Sequence, residues 1–243
     1  FNLRDSGLGR NDPETARAAW WLAMTLNNLG RDKDAVDYYQ INLKIKSTLY
    51  GQNDERVVDA MADLGDSYRK ASEYPKAEQS LLKAYEYYRL GGEGSEQQLM
   101  NVAVDLGILY SDMNQFEKAI QFHREGLELR EKHLGLNDGR VAASLRLLAG
   151  VYSDQGNYEQ AKPILQRALE IARKDPGTNK EPLAVALNSL ALNHQRAGQY
   201  KQAENLFRQS LEIRQKYLGE KHPDTLDSMN YVASVLSNQG QIQ

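Results

Sequence analysis

Apolar and small residues recur along this chain at helical spacing, and the whole arrangement returns 42 residues later without insertion or deletion. Leu22, Leu64, Leu106, Leu148 and Leu190 form one column of that register, continued by Val232. The neighbouring column is small throughout: Ala23, Gly65, Gly107, Ala149, Ala191, Ala233. A third is alanine alone, at Ala35, Ala77, Ala119, Ala161 and Ala203. Within one period Met61, Leu64, Gly65 and Tyr68 lie on one helical face, as do Leu145, Leu148, Ala149 and Tyr152 in another. Ala203, Phe207, Leu211 and Ile213 mark a second helix. Between the two helices, Gly30, Ser72, Asn114, Gly156, Gly198 and Gly240 supply residues that accept the left-handed conformation ending a helix. Asn11, Asn53, Ser95, Asn137 and Asn179, with Lys221 as the exception, form the expected N-cap column, and Asn11 has capping-box spacing to Glu14. The pattern predicts stacked helix pairs, each unable to bury its apolar face alone.

Counting from these columns gives five units, 12–53, 54–95, 96–137, 138–179 and 180–221, followed by the first helix of a sixth over 222–243. Phe1, Leu3, Leu8 and Gly9 share the columns of Leu127, Leu129, Leu134 and Gly135, so residues 1–11 are expected to be the tail of a preceding second helix. The register is unbroken, which predicts one continuous domain. Arg89–Ser95, with its three glycines, reads as a flexible joint between the second and third units. Met229, Val232, Ala233 and Leu236 are expected to face a helix that the sequence does not contain. No polar cap closes that end. The expectation is a fragment of a longer protein, or an end covered by another chain through end-to-end association.

Leu64-Gly65-x-x-Tyr68 and Leu106-Gly107-x-x-Tyr110, followed by Ala77-x-x-x-Leu81 and Ala119-x-x-x-His123, resemble the tetratricopeptide signature. The usual tetratricopeptide unit is about 34 residues, and HEAT and armadillo units run about 40 to 47, but the signature outweighs the length. With Leu211-Glu212-Ile213-Arg214 and Leu218-Gly219-x-x-His222-Pro223-Asp224 between units, the chain closely resembles the kinesin-light-chain type of this repeat. The resemblance implies an all-α, right-handed superhelical solenoid of antiparallel helix pairs. It also implies a concave face, lined mainly by first helices, that holds peptides. In that family, asparagines of an L-N-N-L-A motif hold the backbone of extended peptides. Leu187-Asn188-Ser189-Leu190-Ala191 and Met229-Asn230-Tyr231-Val232-Ala233 keep the first asparagine, whereas Trp20, Ala62, Val104 and Arg146 replace it elsewhere.

Composition narrows the chemistry. No apolar run approaches a membrane span. With 30 Lys and Arg against 33 Asp and Glu, no general nucleic-acid affinity is expected. There is no cysteine, so neither a thiolate nucleophile nor a cysteine metal site is available. His123 and His194 occupy packing columns, His133 lies near a helix C-terminus, and His222 sits in the inter-unit motif. No H-E-x-x-H, phosphate-cradling glycine loop or G-x-S-x-G occurs. A cytoplasmic, non-catalytic protein without metal or cofactor is expected, with no membrane partner.

The columns that vary while packing columns stay fixed are the candidate peptide-binding positions: Arg17, Asp59 and Asn101; Trp20, Arg146, Asn188 and Asn230; Met24, Asp66, Ile108 and Leu192; Arg69 and Gln195; and Asp112. Asp63 and Asp105 add to an acidic stripe, with Asp59, Asp63 and Asp66 at i, i+4 and i+7 on one helix. A partner segment opposite that stripe is expected to carry Lys or Arg, while Arg146 and Arg196 meet an acidic or carbonyl-rich stretch. The reading is a protein-interaction scaffold. A sensor arm of a larger bacterial signalling or effector protein, attached to a protease, ATPase or DNA-binding domain, is the alternative.

Overall fold

The structure, a computed structural model, describes residues 12–91 and 95–240. Among them the regular elements are all helices: α1 (Pro13–Asn28), α2 (Asp32–Tyr50), α3 (Glu55–Lys70), α4 (Tyr74–Leu90), α5 (Glu96–Asp112), α6 (Phe116–Leu134), α7 (Gly139–Asp154), α8 (Tyr158–Lys174), α9 (Glu181–Arg196), α10 (Tyr200–Leu218) and α11 (Pro223–Asn238). The expected tail at 1–11, the Asn11 cap and the glycines at 92 and 94 lie outside the described residues. Two compact units divide the chain between Phe122 and His123. In the first, α1 packs on α2, α2 on α3, α3 on α4 and α4 on α5. In the second, α7, α8, α9, α10 and α11 pack each on the next. None of the described helices is long and apolar enough to cross a membrane.

Each helix pair is closed by the same turn. Gly30, Ser72, Asn114, Gly156, Gly198 and Gly240 all have positive φ, including the two residues that carry a side chain, at 62° for Ser72 and 56° for Asn114. The residue after each of these closes back on the signature position: Glu73, Gln115, Asn157 and Gln199 donate their N–H to the carbonyls of Tyr68, Tyr110, Tyr152 and His194, each at 2.8 Å. This six-to-one bond satisfies a carbonyl that the helix would otherwise leave unpaired.

Ser95 is the N-cap of α5, as its column predicts, but at the asparagine positions the helix starts lie one residue later. Asp12, Asp54 and Asp138 are the N-caps, their carboxylates accepting from the N–H of Glu14, Arg56 and Arg140. His222 caps α11 in the same way. Of the asparagines, Asn179 accepts a backbone bond, from Glu181 N–H at 2.9 Å, although Lys180 is the cap by backbone geometry. Asn-Asp pairs offer two cap-capable residues in a row, and the extended backbone falls on the second.

The alanine column is fully buried at Ala35, Ala77, Ala119, Ala161 and Ala203. Gly65 faces Leu81 so closely that an added Cβ would lie 2.7 Å from Leu81 Cγ. At the last helix, Val232 and Val235 are buried with Phe207, and Leu236 packs against the same cluster. Val232 and Leu236 thus pack on the α10 side of this helix, Leu236 remaining half-buried. Ala233 is exposed and Met229 half-buried. Both packing-column histidines are buried, His123 and His194 alike.

Candidate peptide-binding faces

In the first unit the candidate columns meet from one first helix to the next. Trp20 Nε1 donates to Asp63 Oδ2 at 2.7 Å, and Arg69 Nη1 donates to Asp112 Oδ2 at 2.8 Å. Arg69 also grips Asp66 at 2.8 Å, and Lys70 lies 2.9 Å from the other Asp66 oxygen. Burial opposes charge on Asp66, yet Lys70 and Arg69 outweigh it and hold its carboxyl below the usual range. Burial pushes the Asp63 carboxyl upward, against the pull of the Trp20 N–H and Lys46. Asp59 accepts from the Tyr88 hydroxyl at 2.5 Å. The acidic stripe thus divides: Asp66 and Asp112 are tied to cations, while the bonds to Asp59 and Asp63 come from neutral donors. Arg17 is exposed and pairs with Glu14. Asn101 is exposed and accepts from Gln97. Met24, Asp105 and Ile108 are half-buried.

The second unit repeats one of these links with different chemistry. Arg146 Nε donates to Ser189 Oγ at 3.0 Å, in the register of Trp20 and Asp63. Burial alone lowers the pKa of the Arg146 guanidinium. Beside Ser189 in sequence, Asn188 is 7 % exposed and its Oδ1 has no hydrogen-bond partner. Gln195 donates to Ser234 Oγ at 3.2 Å, and Arg196 pairs with Asp154 at 2.6 Å. Leu192 packs against the Phe207 cluster, leaving it half-buried, and Asn230 is exposed.

A cavity of about 690 Å³ opens in the first unit. Arg17, Trp20, Asp59, Asp63, Asp66, Asn101 and Asp105 line it, so column counting brings these seven together. Met24, Arg69, Ile108 and Asp112 do not line it, nor do the candidates of the second unit. Column counting on first helices missed Tyr39, Asn42, Lys46 and Tyr50 of α2, Arg56 of α3 and Tyr88 of α4. Burial and the neighbouring Asp63 and Asp66 push the Tyr39 hydroxyl up to about 12. The signal available in the sequence was the odd size of Asn42, whose column otherwise reads Ala84, Gly126, Ala168 and Ser210.

One tetratricopeptide-repeat model matches residues 14–90, 140–216 and 183–243, and a second such model matches 99–138. The chain belongs to the tetratricopeptide-repeat family. No curated protein matches it. Among solved structures, this tetratricopeptide-repeat chain is similar to BtubC (BKLC) from P. vanneervenii at 19% identity and a TM-score of 0.67, over 98% of this chain and 86% of that one. A Podosopora anserina protein of kinesin-light-chain type, with nearly identical TPR-like repeats, matches at 19% identity and a TM-score of 0.70, over 84% and 97%. The signal-transduction ATPase PH0952 from Pyrococcus horikoshii, which has a tetratricopeptide repeat sensor, matches at 19% and 0.69, over 99% of this chain and 36% of that protein. At these identities the likeness is one of fold: an all-α tetratricopeptide solenoid of consecutive helix pairs, with kinesin-light-chain-like neighbours.

Proposed function

We propose that the chain is a non-catalytic scaffold that captures a peptide segment of a protein partner along its first helices, in the groove that the family resemblance implies. The observation that carries this reading is Asn188. Its side chain is almost wholly buried on α9, yet Oδ1 lacks a partner, one residue before the serine whose hydroxyl accepts from the Arg146 guanidinium. A buried carbonyl oxygen without a bond costs about 1–3 kcal/mol, which a peptide N–H would recover. Arg146 then offers donors for a carbonyl or carboxylate of the same segment. Panning a displayed peptide library against the chain tests this. Recovered peptides should lose about tenfold or more in affinity with Asn188→Ala and with Arg146→Ala, while circular dichroism is unchanged. Equal affinity for both variants would place the site elsewhere.

A second reading has one supporting observation, the match over nearly the whole chain to a tetratricopeptide sensor within a signalling ATPase. In that case the same peptide-binding faces act as the sensing arm of a larger protein. The parent gene, read beyond both ends of this sequence, distinguishes the two. An adjoining ATPase, protease or DNA-binding region supports the arm, and its absence supports the free scaffold.

A further inference from the structure

We infer that the cavity between α1 and α3 is a pocket for an organic cation, the side chain of a Lys or Arg in the captured segment, received by Asp59, Asp63 and Asn42. The source of the cation rests on the peptide-scaffold reading; the pocket itself does not.

Helix α2 packs against both α1 and α3 and carries Tyr39 and Asn42 into the lining, so it forms the floor. Asn42 is 1 % exposed. Its Nδ2 donates to the Ala16 carbonyl at 2.7 Å, which leaves Oδ1 without a partner. Ser210 shows what this column needs for packing alone: its hydroxyl donates to Ala184 O at 2.9 Å, the equivalent carbonyl, and the side chain brings no second polar atom. The asparagine therefore places in a buried wall an acceptor that the helix contact does not use. Such an atom is costly unless a donor meets it.

Charge points the same way. Of the cations in the lining, Arg17 is paired with Glu14, and Arg56 is paired with Asp54 at 2.8 Å while its guanidinium lies 3.5 Å from the Tyr50 ring centre. Lys46 remains, one ammonium against Asp59 and Asp63, whose bonds come from a phenol and an indole. The lining keeps an excess of negative charge in a partly buried setting, where an ion pair is screened less than on the surface. Trp20, Tyr39 and Tyr88 supply ring surface, which favours a cation over a neutral guest. Among the described residues, no three carboxylates or imidazoles converge as a metal site. The volume lies within the range of ligand clefts, about 300–1,000 Å³.

Trp20 provides the readout, because its indole N–H is bonded to Asp63. The whole chain, labelled with nitrogen-15, is titrated with a blocked Gly-Gly-Arg-Gly-Gly peptide, with the same peptide carrying Glu for Arg, and with agmatine as a free cation. The Arg peptide should shift the Trp20 indole resonance saturably, and the Glu peptide should not. Asp63→Asn, which still accepts from Trp20, should weaken binding about tenfold, and Asp59→Asn similarly. Lys46→Met removes the resident competitor and should tighten binding about threefold. Agmatine binding as well as the peptide supports the pocket with a free cation as guest; weaker agmatine binding supports the side chain. No saturable shift with either cation overturns the pocket. So does affinity unchanged in both Asp→Asn variants with the fold intact. In that event the scaffold reading survives wherever library peptides still depend on Asn188. Loss of that dependence, with cation binding retained, removes the scaffold reading alone.

Discussion

His123 is the residue whose chemistry most depends on the repeat. It fills the column of Tyr39, Leu81, Leu165 and Phe207, all fully or almost fully buried, and it is itself 2 % exposed. Burial, with a smaller contribution from Arg130, lowers its pKa from 6.5 to about 4. Above pH 6.5 the ring is neutral in folded and unfolded chains alike. As pH falls, the unfolded chain takes up the proton first, so stability is lost between pH 6.5 and 4, by about 3 kcal/mol at the lower limit. His123→Leu puts into this column what two sister repeats already carry. The acid-induced loss in urea midpoint between pH 7 and pH 4.5 should be smaller in that variant than in the parent. An identical loss would assign the acid sensitivity to other groups.

At the scale of the element, the small column decides how closely helices pair. Gly65→Ala would gain about 1 kcal/mol of helix propensity. Against that, the new Cβ meets Leu81 at Cγ, the branch point of the side chain, which cannot swing aside as a chain end would. Overpacking costs about 1–3 kcal/mol, so it wins, and thermal unfolding should show a lower Tm despite the better helix former. Helix number, the turns and the alanine contacts were legible in the sequence because packing repeats every 42 residues and leaves columns. Ser95 caps where its column predicts, but the asparagine caps were displaced by one, since periodicity does not separate two adjacent cap-capable residues such as Asn53 and Asp54. The candidate site was legible to the same depth. Asp59, Asp63 and Trp20 lie in variable columns of first helices. Tyr39, Asn42 and Lys46 belong to second helices, where packing columns hide a change of role behind a change of residue.

For the molecule as a whole, stability in a repeat array is close to a sum of local units and their neighbour contacts. Arg214 illustrates one such joint. Its guanidinium bonds Glu181 at 2.6 Å, the Asp224 carbonyl at 3.0 Å and Ser228 Oγ at 3.0 Å, joining α9, α10 and α11 with a side chain 8 % exposed. Arg214→Ala strips three elements of a shared donor and leaves Glu181 uncompensated. Hydrogen exchange should quicken in α9 to α11 and stay unchanged in α1 to α4. Equal quickening in both regions would mean that the chain opens as one cooperative body.

Asn42 carries a consequence for how such arrays diversify. A larger polar residue has entered a helix contact where sister repeats hold Ala84, Ala168 or Ser210, and the period has not changed by a single residue. New recognition can therefore be written into a repeat by point substitution, leaving its pitch intact. The chamber beside Asn42 draws its walls from α1 to α5, so it is transposable only as that whole block: moved to another rung of the array, the block would keep its chamber, and an unaltered period would spare the neighbours any re-spacing.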